Sequence, residues 1–335
     1  MSFPTAVATG AAGLAAAVLL VTAGPSADAV GDRASRGFLD GAGVATAMTT
    51  SAAGARRPKV LLAAGDIACD PRSDVLGSRK ACKHRQVARL VKRQVRHGAD
   101  WWLPLGDLQY ETGARAAFRK MYGPAFRGVK KVTRPVAGNH EYYGGGATGY
   151  FRFFGHRAGT QRKPWRTFVP RPGWRVVLLD SNCSRVGGCG PTSRQGTWLR
   201  RTLDRSQQRC VVAAWHHPLQ TSGIYAGDAD VEANARPLWQ IADAGGVDIV
   251  LNGHDHLYER FAKLGGVQEF LVGTGGKSHY YAKQRQPGSR FLLDGVYGVL
   301  KLTMKSDQKY AWRFLTTGGG ARDRGHGRCT NSPTR

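Results

Sequence analysis

The sequence predicts an α/β fold, a four-layer αββα sandwich of two mixed β-sheets flanked by helices. Three observations carry this expectation. Short apolar runs ending in Gly-Asp, Gly-Asn or His alternate with helical stretches between residues 59 and 251. Beyond residue 265 strand-like segments follow one another without helices, which calls for a second sheet. The 335 residues, 41% of them hydrophobic, suffice for one large core.

Taken in order, residues 1–29 read as a signal peptide. Ala11 to Val21 is a small-residue apolar run, followed by Gly24-Pro25 and by Ala27-Asp28-Ala29, a small-x-small site with cleavage expected after Ala29. No Lys or Arg precedes the run, so an uncleaved anchor is the alternative. Residues 30–58 are rich in Gly, Ala, Ser and Thr without a sustained period and read as a disordered or extended leader. Order is expected from Lys59.

Candidate buried strands run Val60 to Ala64, Trp101 to Leu105, Val132 to Ala137, Val176 to Leu179, Val211 to Trp215 and Asp248 to Leu251. Lys80 to His97 carries Val87, Leu90, Val91 and Val95 at helical spacing, with a solvated basic face opposite. Ser193 to Leu203 and Ala233 to Ala244 read as further helices. Gly266 to Thr274, Gly295 to Met304 and Tyr310 to Thr316 supply the second sheet. Tyr142 to Gly149 reads as a Gly-rich loop beside the chemistry. Residues 318–335 read as a basic Gly-rich tail, which leaves 59–317 as one catalytic domain. Trp101, Trp102, Trp198 and Trp239 are expected in the core.

Lys plus Arg total 49 against 23 acids, a net charge of +26 that becomes +27 if the leader, with one Asp and no base, is removed. Such a surface attracts phosphates, anionic polymers or a cell surface through its basic faces, with no specific nucleic-acid recognition expected. No transmembrane segment is expected in the mature chain, because nothing outside the leader approaches ~20 uninterrupted apolar residues. Six cysteines, none in a CxxC zinc motif, suit an oxidising compartment and a secreted or extracytoplasmic protein, and admit fifteen pairings. Proximity favours Cys69 with Cys82 and Cys183 with Cys189, leaving Cys210 for Cys329.

Metal-binding residue types sit at five strand ends: Asp66 in GDIACD, Asp107 and Tyr110 in GDLQYE, Asn139 and His140 in GNHEYY, His216 and His217 in WHHP, and His254 and His256 in NGHDHLYER. Strand carboxyl ends in an α/β sheet face a common crevice, so residues far apart in sequence can converge there. Oxygen and imidazole donors without thiolates select Zn, Mn, Fe or Mg, and two close dications need a bridging carboxylate, for which Asp107 is the natural choice. The Gly before Asp66, Asp107, Asn139 and His254 suits a tight turn and close backbone approach.

In these blocks the sequence resembles the calcineurin-like metallophosphoesterase superfamily, and within it the purple acid phosphatases, across roughly residues 59 to 317. Most of the superfamily opens with D-x-H, whereas this chain reads Asp66-Ile67-Ala68. Purple acid phosphatases also lack that His and place a Tyr three residues after the bridging Asp, which matches Tyr110. GHDHLYER is similar to their GHxHxYER block. The resemblance implies Fe(III) held by Asp66, Asp107, Tyr110 and His256, and a second ion, Zn, Mn or Fe(II), held by Asp107, Asn139, His216 and His254. It implies that His140 contacts phosphate and protonates the leaving alkoxide, with Asn139 and His217 as further substrate contacts. Glu141 and His217 read as orienting residues that the motifs do not settle. His279 on the GTGGKSHY loop reads as exposed as readily as functional.

The function expected is a secreted dinuclear-metal phosphomonoesterase acting on phosphate esters through a metal-bound hydroxide. Two alternatives stand beside it: a phosphodiesterase on nucleotides or lipid head groups, and a catalytically silent basic binding protein of the cell surface.

Overall fold

The computed structural model describes residues 57–70 and 82–330, so the two leader readings, apart from Arg57 and Pro58, lie outside the described residues. One sheet has the spatial order β12 (Ala321–Arg328), β11 (Lys309–Thr316), β10 (Gly298–Met304), β1 (Lys59–Ala64), β2 (Trp101–Pro104). The other runs β3 (Arg166–Arg171), β4 (Trp174–Leu178), β5 (Cys210–Ala214), β6 (Ile249–Asn252), β8 (Gln268–Val272), β7 (Tyr258–Phe261), β9 (Ser289–Leu293). Both are mixed: β1 is parallel to β2 but antiparallel to β10, and β4, β5, β6 and β8 are parallel while β3, β7 and β9 are antiparallel to their neighbours.

The period-2 geometry of a strand divides the core in two. On β4, Val176 and Leu178 join Leu61, Leu300 and Phe270 in the apolar layer between the sheets, while Val177, with Leu179 just past the strand, joins Val211 and Val250 on the opposite face. That outer face is covered by Leu199 and Leu203 of α6 (Arg194–Asp204) and by Leu238 and Ile241 of α7 (Ala229–Ala244). On the other side α1 (His84–Arg96) buries Val87, Ala88, Leu90 and Val91. Four shorter helices, α2 (Arg115–Lys120), α3 (Tyr122–Ala125), α4 (Asn139–Tyr143) and α5 (Thr148–Phe154), complete that end. The four-layer αββα sandwich is the one the sequence predicts. Among the described residues no helix is long and apolar enough to cross a membrane.

Local chemistry explains where expectation and structure part. The run from Val132 to Ala137 is no strand: Lys130–Val132 is a 3-10 turn, and only isolated bridges, Trp102 to Thr133 and Leu105 to Val136, tie the segment to β2. Arg134 N and Val136 N donate to Trp102 O and Pro104 O, and Pro135 between them has no N–H to offer a further strand on the outer edge. Helix α7 starts one turn before Ala233 because Asp228 caps it, its side chain accepting from Asp230 N and Val231 N. Within the expected tail, residues 321–328 are the edge strand β12. Gly325 and Gly327 there admit the rings of Trp312 and Tyr310, which a Cβ would strike, and Asp323 is buried. Cys69–Cys82, Cys183–Cys189 and Cys210–Cys329 are disulfides, the last tying the start of β5 to the residue after β12.

Candidate metal centre

Parallel strands deliver the predicted residues to one place. Asp66 follows β1, Asp107 follows β2, His216 follows β5, His254 follows β6, and Asn139 opens α4. Asp66, Asp107 and His254 sit at φ of 62°, 49° and 76°, a left-handed backbone that costs non-glycine residues energy and recurs at functional sites. The glycines around them make room: a Cβ on Gly106 would strike the His216 ring, and one on Gly138 would strike Asp107.

Two donor groups form. In the first, the Tyr110 hydroxyl lies 3.0 Å from Asp66 Oδ1, 2.9 Å from His256 Nε2 and 3.2 Å from Asp107 Oδ2. In the second, Asn139 Oδ1, His216 Nε2 and His254 Nδ1 lie 3.1–3.2 Å from one another. Asp107 Oδ2 joins them, 3.3 Å from His216 Nε2. Each aspartate has its other oxygen tied to backbone: His254 N donates to Asp66 Oδ2 and His140 N to Asp107 Oδ1, both at 2.9 Å.

Proton accounting tests whether cations fit. His216 Nδ1 donates to Leu105 O at 2.8 Å and His256 Nδ1 to Ser278 O at 2.5 Å, so each neutral ring turns a lone pair on Nε2 toward the cluster. Asn139 Nδ2 donates to the Tyr143 hydroxyl at 2.7 Å, which leaves Oδ1 facing inward as an acceptor. In the first group one phenolic proton faces three acceptors; in the second His254 could donate, and otherwise only a proton taken up by His216 Nε2 would answer the Asp107 charge. The His254 Nε2 atom is buried without a partner. Buried acceptors gathered with so few protons, and with Asp66 and Asp107 at most 2% exposed, fit a pair of cations.

The electrostatics carry the same demand. Burial opposes ionisation of Asp107, but His216 and His140 hold its carboxyl well below the usual range. Burial alone would depress His216, yet the Asp107 carboxylate lifts it to about 9. Burial, with Asp107 and Asp66, pushes the Tyr110 phenol well above its ordinary value, so a phenolate there requires a cation. Burial and the neighbouring His217 and His216 push His254 well down, which keeps it a neutral donor.

All seven predicted ligand positions, Asp66, Asp107, Tyr110, Asn139, His216, His254 and His256, are thus neighbours. His140 lies at the partly open rim, its Nδ1 2.6 Å from Glu111 O and its Nε2 3.8 Å from Asp107 Oδ2. Glu141 accepts four backbone N–H groups around Asp107 and Gly138. His217 is buried, its ring 4.6 Å from that of His254 and its Nδ1 2.7 Å from Ser181 Oγ, and burial with His216 pushes it down to about 3. It packs against His254 as a neutral ring. His279 is half-buried with its ring 3.8 Å from that of Tyr297. The sequence reading passed over Tyr225, whose ring lies 4.3 Å from that of His254, Tyr280, stacked 3.9 Å from His256, and Lys277 with its partner Glu111. The glycines of GTGGKSHY were the available signal for a loop approaching the centre; Tyr225 carries none.

The profile described as Calcineurin-like phosphoesterase matches residues 55–258. Rat (Rattus norvegicus) tartrate-resistant acid phosphatase type 5 is 25% identical over 239 residues, 64% of this chain and 71% of the rat protein. The purple acid phosphatase from yellow lupin superposes with a TM-score of 0.65 at 18% identity over 80% of this chain, which spans only 53% of the lupin chain. GAP50, the anchor in the inner membrane complex of Plasmodium, gives the same TM-score of 0.65 at 12% identity over 83% of this chain and 91% of its own. The last two likenesses are of fold. With more than half its length matched by the profile, the chain belongs to the calcineurin-like phosphoesterase family of metal-dependent phosphatases.

Proposed function

We propose that this protein is a secreted dinuclear-metal phosphomonoesterase whose centre is organised by Asp107. Support comes above all from one atom, Asp107 Oδ2, which approaches both donor groups, Tyr110 at 3.2 Å and His216 at 3.3 Å. The family implies two metal ions. Asp66, Asp107, Tyr110 and His256 would hold Fe(III), and Asp107, Asn139, His216 and His254 would hold Zn, Mn or Fe(II). When bound, such a pair polarises the phosphate oxygens and neutralises charge that develops in an in-line displacement.

The chain's own residues do the rest. Because His140 Nδ1 donates to Glu111 O, the protonated ring carries its second proton on Nε2, the nitrogen turned toward Asp107. That proton is the one to give to a departing alkoxide. The burial of both aspartates keeps water from competing for their lone pairs, and the Asn139 Nδ2 bond to Tyr143 holds its Oδ1 toward the centre. Three disulfides suit an oxidising compartment, and cleavage after Ala29 would start the exported chain at Val30, which N-terminal sequencing of secreted material checks.

The test joins metal analysis to turnover. Purified protein should contain two ions, absorb visible light through an iron-bound Tyr110 phenolate, and hydrolyse a chromogenic phosphate monoester faster than the matching diester. Asp107→Asn should lose metal and activity together, since a neutral amide replaces the shared charged oxygen. A faster diester rate would favour the phosphodiesterase reading. Fully loaded protein without turnover would leave the binding-protein reading, and two ions retained in Asp107→Asn would remove Asp107 from its bridging role.

A further inference from the structure

Beyond the donor groups, one cation is held against the centre by the backbone. The strap that follows β8 hugs the ligand-bearing turns: Gly275 N donates to Gly65 O at 2.8 Å, Lys277 N to Asp66 O at 2.9 Å, and Tyr280 N to His256 O at 3.3 Å. Lys277 is therefore fixed at its Cα beside Asp66. Its ammonium lies 4.4 Å from the centroid of the Tyr110 ring and pairs with the Glu111 carboxylate. Among the described residues no arginine or other lysine makes an ion pair or a ring contact with the centre.

The two partners are unequally committed. The Lys277 side chain is 17% exposed and anchored at its root, whereas the Glu111 side chain is 44% exposed. An ion pair with one solvated partner contributes little, so Glu111 can swing into water at small cost and leave the ammonium free. We propose that Lys277 is a substrate-binding residue that exchanges Glu111 for a free oxygen of the substrate phosphate and so selects monoesters over diesters. The inference rests on the phosphoesterase reading above. A monoester phosphate carries close to two charges at neutral pH, a diester one, and a lysine ammonium rewards the additional charged oxygen. Glu111 in turn acts as a competitor that vacates only for a sufficiently charged anion.

Lys277→Met, Lys277→Arg and Glu111→Gln decide the matter, each checked first for metal content. Lys277→Met should raise KM for a chromogenic monoester, and the dissociation constant of inorganic phosphate measured by calorimetry, on the order of tenfold to a hundredfold. Its kcat should stay within about threefold of wild type, and its diester KM should rise several-fold less than its monoester KM, because the diester offers the ammonium one charge fewer. Lys277→Arg should restore most of the phosphate affinity. Glu111→Gln should act in the opposite direction and tighten phosphate by several-fold, since the competitor is gone. An unchanged phosphate affinity in Lys277→Met, an equal loss for monoester and diester, or weaker binding in Glu111→Gln overturns the proposal while leaving the hydrolase intact. Wild-type, metal-loaded protein that neither turns over nor binds phosphate overturns both.

Discussion

Glu141 accepts the backbone N–H of Asp107 at 2.9 Å, and through that bond one buried carboxylate governs the shape of two site loops. The same side chain takes N–H groups from Leu108 at 2.9 Å, Gln109 at 3.2 Å and, within its own loop, Gly138 at 2.8 Å. Burial and the Asp107 carboxylate push its carboxyl upward, and these N–H donors, which favour the charged form, oppose that push. The donors hold the turn after β2 against the start of α4, which sets Asp107 beside Asn139 and His140.

Replacing Glu141 with Gln tests this clamp. An amide keeps one accepting oxygen and turns an NH2 toward donors, so buried N–H groups lose their partners at about 1–3 kcal/mol each. Urea unfolding should show a loss of about 2–4 kcal/mol, and metal content should fall below two ions per chain. A Glu141→Gln protein of wild-type stability and full metal content would show that the clamp is dispensable.

The donor set was legible because each member is chemically conspicuous and sits at a strand end beside glycine, where only close approach to something justifies the pattern. Apolar runs marked most of the buried strands but not the sheet each would join: Gly266 to Thr274, expected in the second sheet, pairs with β6 as β8, whereas β1 and β2 share a sheet with β10. What stayed hidden depends on partners distant in sequence. Lys277 and Glu111 are 166 residues apart, and neither neighbourhood says that they meet. Asp323 lies in a stretch of Arg and Gly that reads as a tail, yet Tyr258, Arg260 and Trp312 all donate to its carboxylate, at 2.7, 2.8 and 3.1 Å. The glycines of β12 looked like freedom and serve as space for aromatic rings. Composition cannot tell these two uses of glycine apart; only the facing strand can.

His140 separates binding from chemistry. It is not among the donors that surround either proposed ion, but its Nε2 faces the shared oxygen of Asp107 at 3.8 Å. His140→Ala should keep both metals and lower kcat by about 10²-fold, the scale of a lost general acid. The loss should shrink for esters of acidic phenols, whose leaving groups need no proton. Equal losses across a leaving-group series would assign His140 to phosphate binding alone.

Glu269 offers a pH-dependent readout of stability away from the centre. It lies on β8, fully buried, accepting from Leu219 N and Gln220 Nε2, both at 3.0 Å, with Glu259 adding repulsion. Burial pushes its carboxyl up to about 7, from an ordinary value of 4.5. The folded chain therefore holds a proton that the unfolded chain gives up sooner. This contribution to stability is complete below about pH 4.5 and is lost as pH rises through 7, a swing on the order of 3 kcal/mol. Glu269→Gln removes the titration and keeps an amide of similar size between the same partners. Chemical unfolding at pH 5 and pH 8 should then show the wild type losing more stability over the interval than the variant, with every other titrating group common to both. A stability difference between the two proteins that is the same at both pH values would mean that Glu269 is ionised in the folded state throughout, and that its hydrogen-bond donors outweigh the cost of burying the charge.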